Sequence, residues 1–201
     1  MSRAALFGAL LVGMVVVVQV FAAEPPASDG PLALTRSVLE RSNAIVRGGG
    51  DRKQKLLALS DLLREFLDTD ALARLAAGKH LEGRTPEETA EFLRLFRELF
   101  IRTYVQRLLL FDAPDFAYGD ERITGDSATV GTEIVTPHDR FAVAYSFRRT
   151  PAGWRATDIL VEQVSLAQNF RAQFDSALAK DSFQALLERL RKKVGGPEEA
   201  S

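Results

Sequence analysis

At Phe116 the hydrophobic period of the chain changes from 3.6 to 2, and past Val161 it changes back. Before the change, Phe92, Phe96, Leu99, Phe100, Thr103, Tyr104 and Leu108 share one helical stripe, and Leu93, Leu95, Ile101 and Val105 widen it. A stripe that broad predicts a helix buried on more than one side. After the change, side chains alternate: Phe141, Val143, Tyr145 and Phe147 point one way, and Ala142, Ala144 and Ser146 the other. Helices, then strands, then helices, with no internal repeat and no long linker, confine the chain to one α+β domain.

Element boundaries follow from local chemistry. Leu34 to Val46 is expected to be a helix, stopped by Gly48-Gly49-Gly50. Asp51 offers a cap with Gln54 three residues on, ahead of the apolar face Leu56, Leu59, Leu63 and Phe66. Asp68 caps a shorter helix through Ala77, with Gly78 as its stop. Thr85-Pro86-Glu87-Glu88 is a strong helix start, and that helix runs to about Leu110. Strands are expected near Phe116–Arg122, Ala128–Val135, Arg140–Arg149 and Trp154–Val161. Turn sequences of hairpin length join them, which predicts a twisted antiparallel meander of four strands or more. Ser165-Leu166-Ala167-Gln168 opens a further helix with Leu166, Phe170, Phe174 and Leu178 on one face. Asp181 or Ser182 starts the last, for a total of about six to seven helices.

The ends carry different information. Residues 1–23 have a basic Arg3, an apolar run and a Val20-Phe21-Ala22 cut site, the pattern of a cleaved signal peptide. Residues 24–33 and 195–201 are expected to be disordered, leaving 34–194 as the domain. With no Cys, disulfides and thiolate chemistry are excluded. A net charge of −1 gives no basic excess for nucleic acid. Of the aromatics, 13 are Phe against 3 Tyr and 1 Trp, a pool suited to a core or an apolar cavity.

Candidate chemistry is sparse. Gly125-Asp126-Ser127 is a hairpin turn, because the hydrolase it would suggest needs a later His and none follows His138. His80 and His138 lack partners at metal-ligand spacing, so no metal or cofactor is expected. Asp68 and Asp70 are better explained by helix capping than by acid–base work. Arg189, Arg191, Lys192 and Lys193 suit a helix C-terminus or a docking patch for acidic surfaces or lipid headgroups. Asp158 and Arg171 are expected to pair across the strand–turn–helix unit and fix its helix on the sheet.

Several blocks together resemble one family. They are Gly153-Trp154-Arg155-Ala156-Thr157-Asp158-Ile159, then Val164-Ser165-Leu166-Ala167-Gln168-Asn169-Phe170-Arg171-Ala172-Gln173-Phe174, then Leu186 to Lys193. Upstream, Phe66-Leu67-Asp68-x-x-Ala71-Leu72-Ala73-Arg74, Gly78, Thr85-Pro86-Glu87, Phe92 and Thr103-Tyr104 keep order and spacing. The chain thus resembles the MlaC, or toluene-tolerance, family of periplasmic lipid-binding proteins over roughly residues 34 to 193. Leu81 stands where the family pattern has Trp, and Gln163 where it has Gly. These departures keep the hopanoid-linked branch, HpnM, in view.

The resemblance implies a sheet wrapped by helices around an apolar cavity for acyl chains. It also implies a periplasmic carrier moving phospholipid between an outer-membrane lipoprotein complex and an inner-membrane ABC transporter with an MCE-domain subunit. The expected pocket wall is Phe141, Val143, Tyr145 and Phe147, with Phe96, Phe100, Tyr104, Ile159, Val161, Val164 and Phe170 supplying the rest. Arg189, Arg191, Lys192 and Lys193 are the expected docking residues. Two readings compete: a small cavity-bearing enzyme, for which Asp158 is the nearest acid to the apolar face, and an adaptor whose broad stripes are only core.

Overall fold

The structure, a computed structural model, describes residues 30–110 and 113–196. The expected signal peptide, the segment before Gly30 and the tail from residue 197 lie outside the described residues. Four helices come first: α1 (Pro31–Arg47), α2 (Arg52–Phe66), α3 (Thr69–Ala77) and α4 (Pro86–Leu108), with a 3₁₀ turn at Gly78–Leu81. The strands β1 (Asp115–Thr124), β2 (Ser127–Val135), β3 (Arg140–Thr150), β4 (Gly153–Val161) and β5 (Val164–Ser165) follow in order. Then come α5 (Leu166–Leu178) and α6 (Phe183–Gly195).

The helix starts obey the side chains that open them. Asp51 and Thr85 both close reciprocal capping boxes, with Gln54 and Glu88 respectively. Asp68 caps α3 through the Ala71 amide, and Ser182 caps α6 through that of Ala185. The start of α1 is earlier than the sequence pattern suggests. Pro31 occupies its first turn and is buried, so part of the segment expected to be disordered is helix. Pro is favoured there because its missing N–H would have no helical partner.

The sheet is an antiparallel meander in the order β1-β2-β3-β4-β5. Tyr145 lies opposite Val130 on one side and Ile159 on the other, so these residues share a face. That face, with Val143 and Phe147, turns toward the helices: Phe66 meets Tyr145 and Phe147 edge-on at 5.5 and 5.6 Å. The opposite face carries Thr129, Ser146 and Arg148. The β4–β5 hairpin turns through Glu162 and Gln163, both left-handed at φ 49° and 66°. This is the geometry that favours Gly, so Gln163 adopts it at a cost in backbone strain. Further along the edge of β4 that β5 occupies, the Leu67–Asp68 junction pairs in parallel with Ala156, the Asp68 N–H donating to the Ala156 carbonyl at 2.8 Å.

Helix α4 is the centre of the packing, as its broad stripe requires. Phe92, Phe96, Phe100, Ile101 and Val105 are almost wholly buried, and α2, α3 and α6 pack around it. Arg97 of α4 pairs with Asp70 of α3 at 2.5 Å, which gives that carboxylate a structural task.

Candidate functional site

The Phe-rich composition resolves into a continuous array of rings. Along α4, Phe96 stacks on Phe100 at 5.8 Å and Phe100 on Tyr104 at 4.3 Å. Positions four apart on a helix face the same way, which is why these three rings line up. From α5, Phe170 meets Phe96 edge-on at 5.1 Å, and Phe174 meets Phe92 at 5.5 Å. Phe183 of α6 closes on Phe92 at 5.9 Å. Each such pair contributes about 0.5–1.5 kcal/mol beyond its buried area. Phe92, Phe174 and Phe183 were not among the expected site residues, although Phe174 sits one turn from Phe170 on the face the sequence pattern identified.

The array and the helix-facing side of the sheet belong to one apolar cluster, which includes Val143, Tyr145, Phe147, Ile159 and Phe170. Burial pushes the Tyr145 phenol up to about 12, while a hydrogen bond with the Thr132 hydroxyl opposes the shift. Burial also raises the Tyr104 phenol, against the pull of the nearby Arg107 guanidinium.

Three of the expected wall residues are not enclosed. Phe141, Val161 and Val164 are 38%, 39% and 59% exposed. Val161 pairs with both Val143 and Val164, and Phe141 lies two residues before Val143. They therefore share one exposed corner of the helix-facing side. Val143, a buried member of the apolar cluster, thus borders an exposed apolar corner.

The unit that joins β4 to α5 differs from the expected Asp158–Arg171 pair. Asp158 is buried and accepts from the Ser165 hydroxyl at 2.5 Å, the Ala167 amide at 3.1 Å and the Ile159 amide at 2.9 Å. Ser165 in turn accepts from the Gln168 amide at 3.0 Å. The carboxylate therefore serves the unpaired amides and positive end of α5 rather than a guanidinium. Arg171 instead donates through Nε to the Leu75 carbonyl at 3.0 Å, near the C-terminal end of α3. Gly78 makes room for it: its φ is +54°, and a Cβ there would lie 3.0 Å from Arg171 Nε. His80 joins the same clasp through Asp175 at 2.5 Å, where surface exposure was expected.

The four basic residues of α6 divide. Arg191 grips Glu91 of α4 with two bonds of 2.7 Å, and Arg189 pairs with Asp181. Among the described residues Lys192 and Lys193 have no ion pair. Arg189 and Lys193 also border a groove of about 180 Å³ between α5 and α6, floored by Phe96, Phe100 and Leu190.

Residues 35–192 match the family model described as MlaC protein. Toluene tolerance protein ttg2D of Pseudomonas putida is 23% identical over 130 residues, which is 62% of this chain and 59% of that protein. The match thus spans less than two thirds of that relative's length. A phospholipid-binding protein from Ralstonia solanacearum, solved in complex with a phospholipid, shares the fold with a TM-score of 0.73 at 21% identity. That match covers 83% of this chain and 97% of the other.

Proposed function

The chain belongs to the MlaC family, and on that premise we propose that it is a periplasmic carrier that shields phospholipid acyl chains in its apolar interior and moves them between the outer and inner membranes. The observation that carries this reading is the single apolar cluster that runs from the α4–α5 ring array to the sheet, with the exposed apolar residues Phe141, Val161 and Val164 beside its member Val143. The Ralstonia protein of the same fold, which binds phospholipid, supports the choice of cargo.

A carrier of this kind answers a physical need. At ~0.8 kcal/mol per CH₂, a chain of about 16 carbons is held in a bilayer by roughly 12 kcal/mol. Escape into water is therefore slow, and a dry protein interior that matches the bilayer removes most of that barrier. Tight headgroup recognition is not required. A hopanoid-type lipid would satisfy the same interior. The enzyme alternative rested on Asp158, and its two oxygens are committed to Ser165, Ala167 and Ile159. Docking on the inner-membrane MCE-domain transporter and the outer-membrane lipoprotein complex falls to Lys192 and Lys193, with Arg189 and Arg191 also holding intramolecular pairs.

Mass spectrometry of organic extracts of the purified protein tests the cargo, and Val143→Trp tests the wall. Val143 is 3% exposed, between the covered face and the open corner. The substitution is expected to lower co-purified phospholipid several-fold with a native circular dichroism spectrum. A variant that lost ~1–3 kcal/mol of stability to overpacking yet carried a full lipid load would overturn the assignment.

A further inference from the structure

The sheet face that turns away from Phe66 borders a cavity of about 600 Å³, overhung by Arg74 of α3. Its lining is unlike the rest of the surface. Arg74, Arg122 and Arg148 all border it, and no Asp or Glu does. Among the described residues none of these three side chains has an ion pair or a hydrogen bond. The strand register sets hydroxyls between them. Arg122 lies opposite Thr129, which lies opposite Ser146; one row on, Thr124 lies opposite Ser127, which lies opposite Arg148.

A neighbouring cavity shows how unusual this is. About 270 Å³ in volume, it gathers Arg64, Arg97 and Arg155, but Asp68 and Asp70 share its lining. There Arg97 pairs with Asp70, and Arg155 donates to the Leu67 carbonyl at 2.9 Å. The acids of this region lie outside the lining: Asp158 is spent on the start of α5, Asp126 lies beside Arg149 at 3.9 Å, and Asp120 lies two residues before Arg122 in β1. Three guanidinium groups around one hollow repel each other, so the arrangement is poised for an anion that neutralises them.

We propose that this trough binds an organophosphate, with Arg74, Arg122 and Arg148 engaging the phosphate oxygens and Ser127, Thr129 and Ser146 meeting hydroxyls of its carbon skeleton. Phosphate fits better than carboxylate for two reasons. A monoester carries about −1.5 to −2 charge near neutrality, which matches several cations rather than one. Guanidinium forks also meet phosphate oxygens two at a time. The volume lies within the range of small-molecule sites. The proposal does not rest on the carrier reading: Ala128 and Phe147 of the apolar cluster also border the trough, but its arginines and hydroxyls come from α3 and from the sheet face opposite Tyr145. The ligand chemistry is shared by a free phosphorylated polyol and by the glycerophosphate portion of a lipid headgroup.

Isothermal titration of the full protein at low salt tests it, with glycerol 3-phosphate and glycerophosphoethanolamine as probes. Saturable binding is expected, at least tenfold weaker in Arg122→Gln/Arg148→Gln and unchanged in Lys192→Gln/Lys193→Gln. Preference for the monoester assigns the site to a soluble ligand, and preference for the diester to a lipid headgroup. Amide NMR shifts of Thr129 and Ser146 in the unmodified protein provide a second readout that does not need the double variant to fold. Heat effects reproduced by KCl at matched ionic strength, equal weakening in the lysine control, or unmoved Thr129 and Ser146 amides would each overturn the proposal. So would equally tight, equally arginine-dependent binding of poly-glutamate, which would make the face a protein-docking surface.

Discussion

Tyr145 and Ser146 are adjacent in β3 and inhabit opposite environments. Tyr145 is buried against Phe66, with its phenol pushed up to about 12. Ser146 borders a trough among unpaired arginines. On the helix-facing side, Val130, Tyr145 and Phe147 are buried in the core, while Phe141, Val161 and Val164 at one corner and Ile123 in β1 are exposed. On the other side Arg122, Thr129 and Arg148 are all exposed. Strand alternation thus sorts apolar side chains to one face of the sheet and Arg122, Arg148 and the hydroxyls to the other, where Arg74 of α3 joins them. Substitutions on the two faces should therefore fail in different ways.

The largest expected effect is on the covered face. Phe66→Ala removes the ring that wedges against both Tyr145 and Phe147, and should cost about 3–5 kcal/mol in denaturant unfolding. A cost below ~1 kcal/mol would mean that the covered face is held no more tightly than its open corner. Next comes alkaline pH. The folded Tyr145 phenol is raised above its unfolded value near 10, so its stability contribution is intact below about pH 10. As pH rises through about 12 the unfolded chain releases a proton that the folded chain keeps, and on the order of 2–3 kcal/mol should be lost. Tyr145→Phe should flatten most of that decline; an unchanged pH profile would place the loss elsewhere. The smallest effect is across the sheet, where Ser146→Ala should alter stability by no more than ~0.5 kcal/mol. A thermal melt showing a large loss would mean that the trough face is structural after all.

Local chemistry made much of this fold readable in advance. Asp51, Asp68, Thr85, Ser165 and Ser182 cap helices where their side chains suggested, and the β1–β2 turn falls at Gly125 with φ 58°. The early start of α1 was missed because Gly30 caps it without a side-chain oxygen. Strand β5 was missed because its turn uses Glu162 and Gln163 in a conformation that neither residue signals. The Asp158–Arg171 expectation failed on reach. Asp158 found donors seven and nine residues along the chain, whereas Arg171 serves a carbonyl 96 residues away. For the site, the alternation of β3 identified the bulky face. It could not show that Phe141 would be exposed, or that the small face of Ser146 would be bordered by arginines from β1, β3 and α3.

The pairing of Leu67–Asp68 with Ala156 bears on the order in which the protein assembles. The meander can close hairpin by hairpin from neighbouring segments, whereas this edge contact waits until β4 has been made. Chain synthesis delivers α1 to α4 first, with the ring face of α4 and the Phe66 wedge still lacking the sheet and α5 that cover them. The apolar interior is therefore the last part of the molecule to exist. A nascent chain shows solvent the surfaces that the finished protein closes over, and for that interval it depends on a holding partner or on speed to avoid sticking to its neighbours.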